Sequence, residues 1–211
     1  MHEITEVAWS NAPQDRPGTL LVIALHGRGS DEASMIGIRA QMPPGVTVAA
    51  LRGPVTLDFG YTWFENRGIG RPIEESIQAS SDAVFAWLDS VAAQHTGVVV
   101  LGFSGGTAMG GGLLFAHPEK FDAGILLSGT LPWDAGFDTR AERWQGKPIL
   151  WSIDANDQVI PRDLVERSEA WLLEESGAVV TVVPIPGVGH AFDADQLVAI
   201  REFVARFAPS T

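Results

Sequence analysis

The sequence predicts a doubly wound α/β fold, a mostly parallel central sheet with helices on both faces, in a single domain spanning residues 1–211. Three observations predict it. Six short apolar runs recur along the chain, at Leu20 to Leu25, Val46 to Leu51, Val98 to Phe103, Gly124 to Leu127, Ile149 to Ile153 and Val179 to Val183. Runs that are apolar at nearly every position belong to strands buried on both faces, the situation of parallel strands covered by helices. Stretches of helical periodicity lie between several of these runs, and strand and helix alternating is the pattern of this architecture. Finally, 45% of the 211 residues are hydrophobic, which is enough for one well-packed core in a chain rather short for two.

In chain order, Glu3 to Trp9 reads as an additional strand, divided from the next by the turn-rich segment Ser10 to Gly18. An antiparallel hairpin at the sheet edge suits it. Glu74 to His95 is a helix, with Ile77, Val84, Phe85, Leu88 and Val91 close to a 3.6-residue period and Pro72 ahead of it as a start signal. Further helices are expected at Gly105 to Ala116, Pro161 to Glu175 and Asp193 to Phe207. Met109 and Leu113, four apart on the first of these, face the core. Two long stretches, Arg52 to Arg71 and Gly129 to Lys147, show no such regularity. Long loops in compact domains often carry function, so their aromatic residues Trp63, Phe64, Trp133, Phe137 and Trp144 are either walls of a binding site or core packing.

Charge and composition narrow the partners. The formal charge is −12, from 14 Lys+Arg against 26 Asp+Glu, and it is scattered along the chain. Such a surface repels phosphate backbones and anionic head groups, so neither nucleic acid nor an acidic membrane is an expected partner. There is no cysteine, which excludes a disulfide framework, a cysteine nucleophile and a thiolate metal site. No apolar run approaches the roughly 20 residues that span a bilayer, and the first residues, Met1 to Val7, carry acids without the apolar segment of a signal peptide. A cytoplasmic monomer or homodimer without stable membrane insertion is expected.

The segment richest in chemistry is Gly102-Phe103-Ser104-Gly105-Gly106, between the Val98 to Phe103 run and a small-residue helix. A serine hydroxyl is a poor nucleophile at neutral pH. Held on a tight strand-to-helix turn beside a histidine it becomes a useful one, and glycines two before and two after it let the turn close. On a sheet of this kind an acid and then a histidine should follow. His117 ends the helix that starts at the serine, about 18 Å away at 1.5 Å per residue. His190, in the glycine-rich loop after the last strand, is the expected general base, because open α/β sheets build their sites beyond the carboxyl ends of the strands. Asp157, after the Ile149 to Ile153 run, is the expected acid, with Asp154 as the alternative; its role is to hold the His190 tautomer and stabilise the imidazolium. The negative charge of a tetrahedral intermediate needs donors. The backbone N–H of Gly105 supplies one, and that of Arg28, in the loop His26-Gly27-Arg28-Gly29-Ser30-Asp31, supplies the second.

Leu25-His26-Gly27-Arg28-Gly29-Ser30-Asp31, Trp63-Phe64-Glu65, Gly102-Phe103-Ser104-Gly105-Gly106, Asp157-Gln158-Val159-Ile160-Pro161 and Gly187-Val188-Gly189-His190 occur in that order. Together they resemble the phospholipase/carboxylesterase family of α/β-hydrolases, which includes acyl-protein thioesterases, over about residues 20 to 207. The resemblance implies an α/β-hydrolase fold and a serine esterase with Ser104, Asp157 and His190 as triad. It also implies that Trp63 and Phe64 lie near the acyl pocket. With only 129–147 between two strands, no cap domain is expected. Neither cofactor nor metal is expected, and the substrate is a small-molecule ester or acyl thioester. The family usually carries glutamine directly after the nucleophile. This chain has Gly105, which keeps the backbone donor and removes the side chain. The Arg28 side chain either meets an acidic substrate group or pairs with Asp31 or Glu32.

Overall fold

The structure, a computed structural model, describes residues 2–185 and 187–209. Its strands are β1 (Val7–Trp9), β2 (Leu20–Leu25), β3 (Val46–Leu51), β4 (Val55–Thr56), β5 (Tyr61–Thr62), β6 (Gly97–Phe103), β7 (Ala123–Leu127), β8 (Pro148–Asp154) and β9 (Val179–Ile185). The α-helices are α1 (Glu32–Met35), α2 (Glu74–Val91), α3 (Gly105–Ala116), α4 (Arg162–Ala170, prolonged by a π turn at Trp171–Glu175) and α5 (Ala194–Ala205). Seven strands form one sheet in the order β1-β3-β2-β6-β7-β8-β9, parallel throughout except for β1, and β4 and β5 form a separate small hairpin.

The apolar runs are buried on both faces because successive side chains enter two different cores. Leu21, Ile23 and Leu25 of β2, with Val98 and Val100 of β6, pack with Ile77, Val84 and Leu88 of α2 and Met109 and Leu113 of α3. Leu20, Val22 and Ala24, with Val99 and Leu101, pack instead with Met35 of α1, with Ile38 just after it and with Ile200, Phe203 and Val204 of α5. This two-sided burial is what all-apolar parallel strands require. Register then fixes where the loops emerge. Leu25 pairs with Gly102, and Phe103 with Leu127, so the loops after β2, β6 and β7 leave the sheet side by side. Asp154 pairs with Ile185, which brings the loops after β8 and β9 together at the same end.

Several expectations are corrected. The N-terminal strand is only Val7–Trp9, and it pairs with β3 rather than forming a hairpin with β2. Both edges of β2 are occupied by β3 and β6, so the outer edge of β3 is the one it can reach. The Val179 to Val183 run is not a fully buried strand. It is the sheet edge, with Val180 and Val183 reaching the two cores while Val179 and Val182 are 56% and 41% exposed. The stretch 52–71 contains the β4–β5 hairpin, and α1 with the following 3-10 turn Ile36–Gln41 lies where no helix is anticipated. Trp133, Phe137 and Trp144 are packing residues. With Phe115 of α3 and Trp171 they form one aromatic cluster, in which Phe115 and Trp144 stand 4.8 Å apart and Trp144 and Trp171 4.9 Å apart. They belong to, or pack against, the core that also holds Met109 and Leu113 of α3.

Candidate active site

Ser104 sits between β6 and α3 at φ 56°, ψ −115°, a conformation that costs a non-glycine residue on the order of 1–3 kcal/mol. The surroundings impose it. The Ser104 N–H donates to the Leu127 carbonyl (2.9 Å), and the Thr107 hydroxyl, on the first turn of α3, is 2.6 Å from the same oxygen. A Cβ at Gly102 would overlap the Gly106 carbonyl, and one at Gly106 would overlap that of Leu25. Only glycines at both places let the elbow close against β2.

The Ser104 hydroxyl is thereby presented to His190, whose Nε2 lies 2.9 Å from Oγ; on the other side of the ring, Nδ1 lies 2.7 Å from Asp157 Oδ2. The Asp157 side chain is 2% exposed and its second oxygen accepts the N–H groups of Val159 (2.8 Å) and Ile160 (3.2 Å), so the carboxylate cannot swing away. The imidazole also packs against Phe103, at 5.1 Å between ring centroids, and Phe103 stacks on Phe192 at 4.7 Å.

Asp154 lies close by in a different position from that of an alternative acid. Its carboxylate, buried at the end of β8, accepts the N–H groups of Asn156 (2.7 Å), Gly187 (3.2 Å), Val188 (2.6 Å) and Gly189 (3.1 Å). Burial pushes its pKa up, but the four N–H donors together outweigh that and hold it below the usual carboxylate range. The residue thus clips the loop that carries His190 to the end of β8. His117 is remote from this group; it ends α3 and pairs with Glu119 at the surface.

The loop after β2 is set by His26, which is fully buried. Its Nε2 accepts the N–H of Gly53 (2.9 Å), so Nδ1 carries the proton and donates to the Gly27 carbonyl (2.7 Å). Burial depresses the His26 pKa, consistent with a neutral ring. In a trans peptide C=O and N–H point in opposite directions, so drawing the Gly27 oxygen toward His26 turns the Arg28 N–H away from it. A Cβ on Gly105 would stand 3.3 Å from the Arg28 nitrogen, which places the two backbone donors next to one another beside Ser104. Among the described residues neither N–H donates to a protein acceptor.

A cleft of about 320 Å³ opens at Ser104, at the lower end of the range for small-ligand sites. Phe64, Ile69, Ala108, Val159 and Ile160 make its apolar wall, while Arg28, Asn66 and Thr130 bring polar groups. Of the two aromatic residues that the resemblance put near the acyl pocket, Phe64 lines this cleft and Trp63 does not. Trp63 is fully buried behind the loop after β2, its Nε1–H donating to the His26 carbonyl (2.7 Å) and its ring 5.1 Å from the imidazole. Adjacent residues of an extended segment point to opposite sides, so only one of this pair can reach a ligand. Asn66, Ile69 and Thr130 lack any local motif that would have singled them out, and Val159 stands in the Asp157 motif with nothing to mark it as a wall residue. Among the described residues no three His, Asp or Glu side chains gather as a metal site would need.

A serine on a glycine-flanked strand-to-helix elbow, at the carboxyl end of a mostly parallel sheet, defines an α/β-hydrolase. The chain belongs to the phospholipase/carboxylesterase family, whose model matches residues 9–208. Among solved structures, a carboxylesterase from Bacillus cereus superposes with a TM-score of 0.79 at 20% identity, covering 95% of this chain and 93% of that one. One from Mesorhizobium loti superposes with a TM-score of 0.76 at 24% identity, covering 88% of each. At these identities the likeness is one of fold. A rice (Oryza sativa subsp. japonica) protein described as a probable inactive carboxylesterase is 27% identical over 176 residues, 74% of this chain and 70% of that one. No helix among the described residues is long and apolar enough to cross a membrane.

Proposed function

We propose that the protein is a serine carboxylesterase for short to medium acyl chains, acting through an acyl-enzyme. The observation that carries this reading is the hydrogen-bonded series Ser104, His190, Asp157 at the mouth of an apolar cleft. Ser104 Oγ attacks the acyl carbon while His190 Nε2 takes its proton, and the carbonyl oxygen, now negative, is held by the N–H groups of Arg28 and Gly105. His190 passes the proton to the departing alkoxide as the carbon–oxygen bond breaks. Water, deprotonated by His190 in turn, attacks the acyl-enzyme, and the acid leaves with Ser104 regenerated. Asp157 orients the imidazole and stabilises its charged form without taking the proton. A thiolate, or the glycerol alkoxide of a lysophospholipid, leaves by the same steps, so acyl thioesters or lysophospholipids are the alternative substrates.

The rice relative's description keeps a non-catalytic ligand-binding role in view, and activity decides between the two. Hydrolysis of p-nitrophenyl esters from acetate to decanoate, with a fluorophosphonate adduct on Ser104 and both lost in Ser104→Ala, is the expected result. Folded protein that gives neither turnover nor adduct refutes the esterase reading and leaves the binding role.

A further inference from the structure

The cleft runs against the charge of the molecule. The chain is net −12, yet among the described residues no acid lines the cleft at Ser104, whereas an arginine, Arg28, does. Asp157, the nearest acid of the site, is 2% exposed and hidden behind the His190 ring. The two acids that follow Arg28 in sequence are committed elsewhere. Glu32 binds Arg52 through both oxygens, at 2.5 and 2.7 Å, and Asp31 accepts the Ser34 N–H to cap α1. Among the described residues Arg28 forms no ion pair, nor do Arg67 and Arg71. These last two lie on the β5–α2 loop that also supplies Asn66, Ile69 and Gly70 to the cleft, and Arg71 Nη2 donates to the Arg67 carbonyl (2.7 Å).

Gly105 adds a second observation. A Cβ there would stand 3.8 Å from Arg28 Cβ, so any side chain following the nucleophile would emerge beside the arginine. Glycine leaves that space open. The Arg28 backbone lies beside Gly105, the residue after Ser104, so its guanidinium can reach a group within one side-chain length of the nucleophile, and Phe64, Ile69, Ala108, Val159 and Ile160 supply the hydrocarbon of the same cleft.

We propose that the preferred substrates are esters of an anionic alcohol, bearing a carboxylate or phosphate near the scissile bond, and that the Arg28 side chain selects them. The inference rests on the esterase reading above. The apolar wall takes the acyl chain, so the anion belongs on the leaving group, and a guanidinium matches either anion with paired N–H donors. Arg67 and Arg71, on the loop that supplies Asn66, Ile69 and Gly70 to the cleft, outnumber Glu65 there, and the attraction of anionic substrates toward this side of the molecule is one that salt screens.

The test compares octanoate esters of 3-hydroxybenzoate and 3-hydroxyphenyl phosphate with that of neutral 3-hydroxybenzamide, on wild type, Arg28→Gln and Arg28→Lys. The readout is the anionic-to-neutral ratio of kcat/KM, which cancels any effect of the substitution on the backbone donor at this position. In wild type the ratio should exceed one and fall with added salt. Arg28→Gln should lower it about tenfold, mainly through KM, with Arg28→Lys between, as a charge-assisted hydrogen bond predicts. The carboxylate and phosphate arms show which anion is preferred. A wild-type ratio of one or less, or a ratio that Arg28→Gln leaves unchanged, overturns the inference while neutral-ester turnover upholds the esterase. Absence of turnover on every ester overturns both.

Discussion

Asp157→Asn is the most searching perturbation of the proposed mechanism, because the structure dictates which way the new amide must face. Asp157 Oδ1 receives two backbone N–H groups, from Val159 and Ile160, whereas Oδ2 faces His190 Nδ1 at 2.7 Å. In the asparagine the carbonyl must keep the Oδ1 position. Turning it over would set an NH₂ against two N–H donors in a buried place, at about 1–3 kcal/mol for each donor left unsatisfied. The NH₂ therefore donates to His190 Nδ1, and the ring proton moves to Nε2, where it points at Ser104 Oγ. The serine then faces a donor and has no base. The wrong tautomer in a triad of this geometry costs about 10⁴ in kcat, roughly 5.5 kcal/mol. Shape and the two Oδ1 bonds are retained, so melting should move by no more than about 2 °C, on the order of 0.5 kcal/mol for a domain of this size. Steady-state hydrolysis of p-nitrophenyl butyrate, the rate of fluorophosphonate labelling and thermal melting measure all three quantities. A kcat within tenfold of wild type, in a variant that melts normally, would refute the assignment of Asp157 as the residue that sets the His190 tautomer.

Asp154→Asn should lower kcat about 10- to 100-fold with little change in KM, as the loss of a group that positions a catalytic one does. The Asp154 pKa is lowered in the fold, so its anchoring is complete above the ordinary carboxylate value of about 3.9 and lost as pH falls through the lowered one. Hydrogen exchange at Gly187 to Gly189 should accelerate over that acid range in wild type, and be fast at every pH in the variant. His26 is also held below its ordinary value. It contributes stability above about pH 6.5, which is lost as pH drops toward the depressed value, because the unfolded chain then binds the proton first; urea unfolding at pH 7.5 and 5.5 should show the loss, and His26→Asn should shrink it. Trp144→Ala should cost about 3–5 kcal/mol of stability as a core truncation. At 15 °C it should leave kcat/KM for a butyrate ester within about twofold, a result that a cleft-wall residue would not give.

What the sequence determined by itself is the part of this protein that depends on neighbours in the chain. The limits of β2, β3 and α3 coincide with Leu20 to Leu25, Val46 to Leu51 and Gly105 to Ala116, because period and composition are local properties and these elements lie in the middle of the fold. The elbow was legible for the same reason: its glycines stand two residues either side of Ser104 and answer to contacts with the strands beside it. Residues paired across long separations were open to chain-order reasoning only as candidates, and the choice between Asp154 and Asp157 shows its limit. Asp154 ends β8 and Asp157 follows it by three residues; one accepts the backbone N–H groups of the loop that carries His190, and the other meets His190 Nδ1. Tertiary structure alone decided which side of an extended segment Trp63 and Phe64 each face, which strand edge was left for β1, that β9 has a neighbour on one side only, and that Trp133, Phe137 and Trp144 gather around Phe115 rather than at the cleft. It also decided that Glu32 is taken by Arg52 and that Arg28 is among the residues lining the cleft. Apolar character states that a side chain will be covered and charge that it will seek a partner, but which surface covers it and which partner it finds depend on the relative positions of elements that are far apart in the chain.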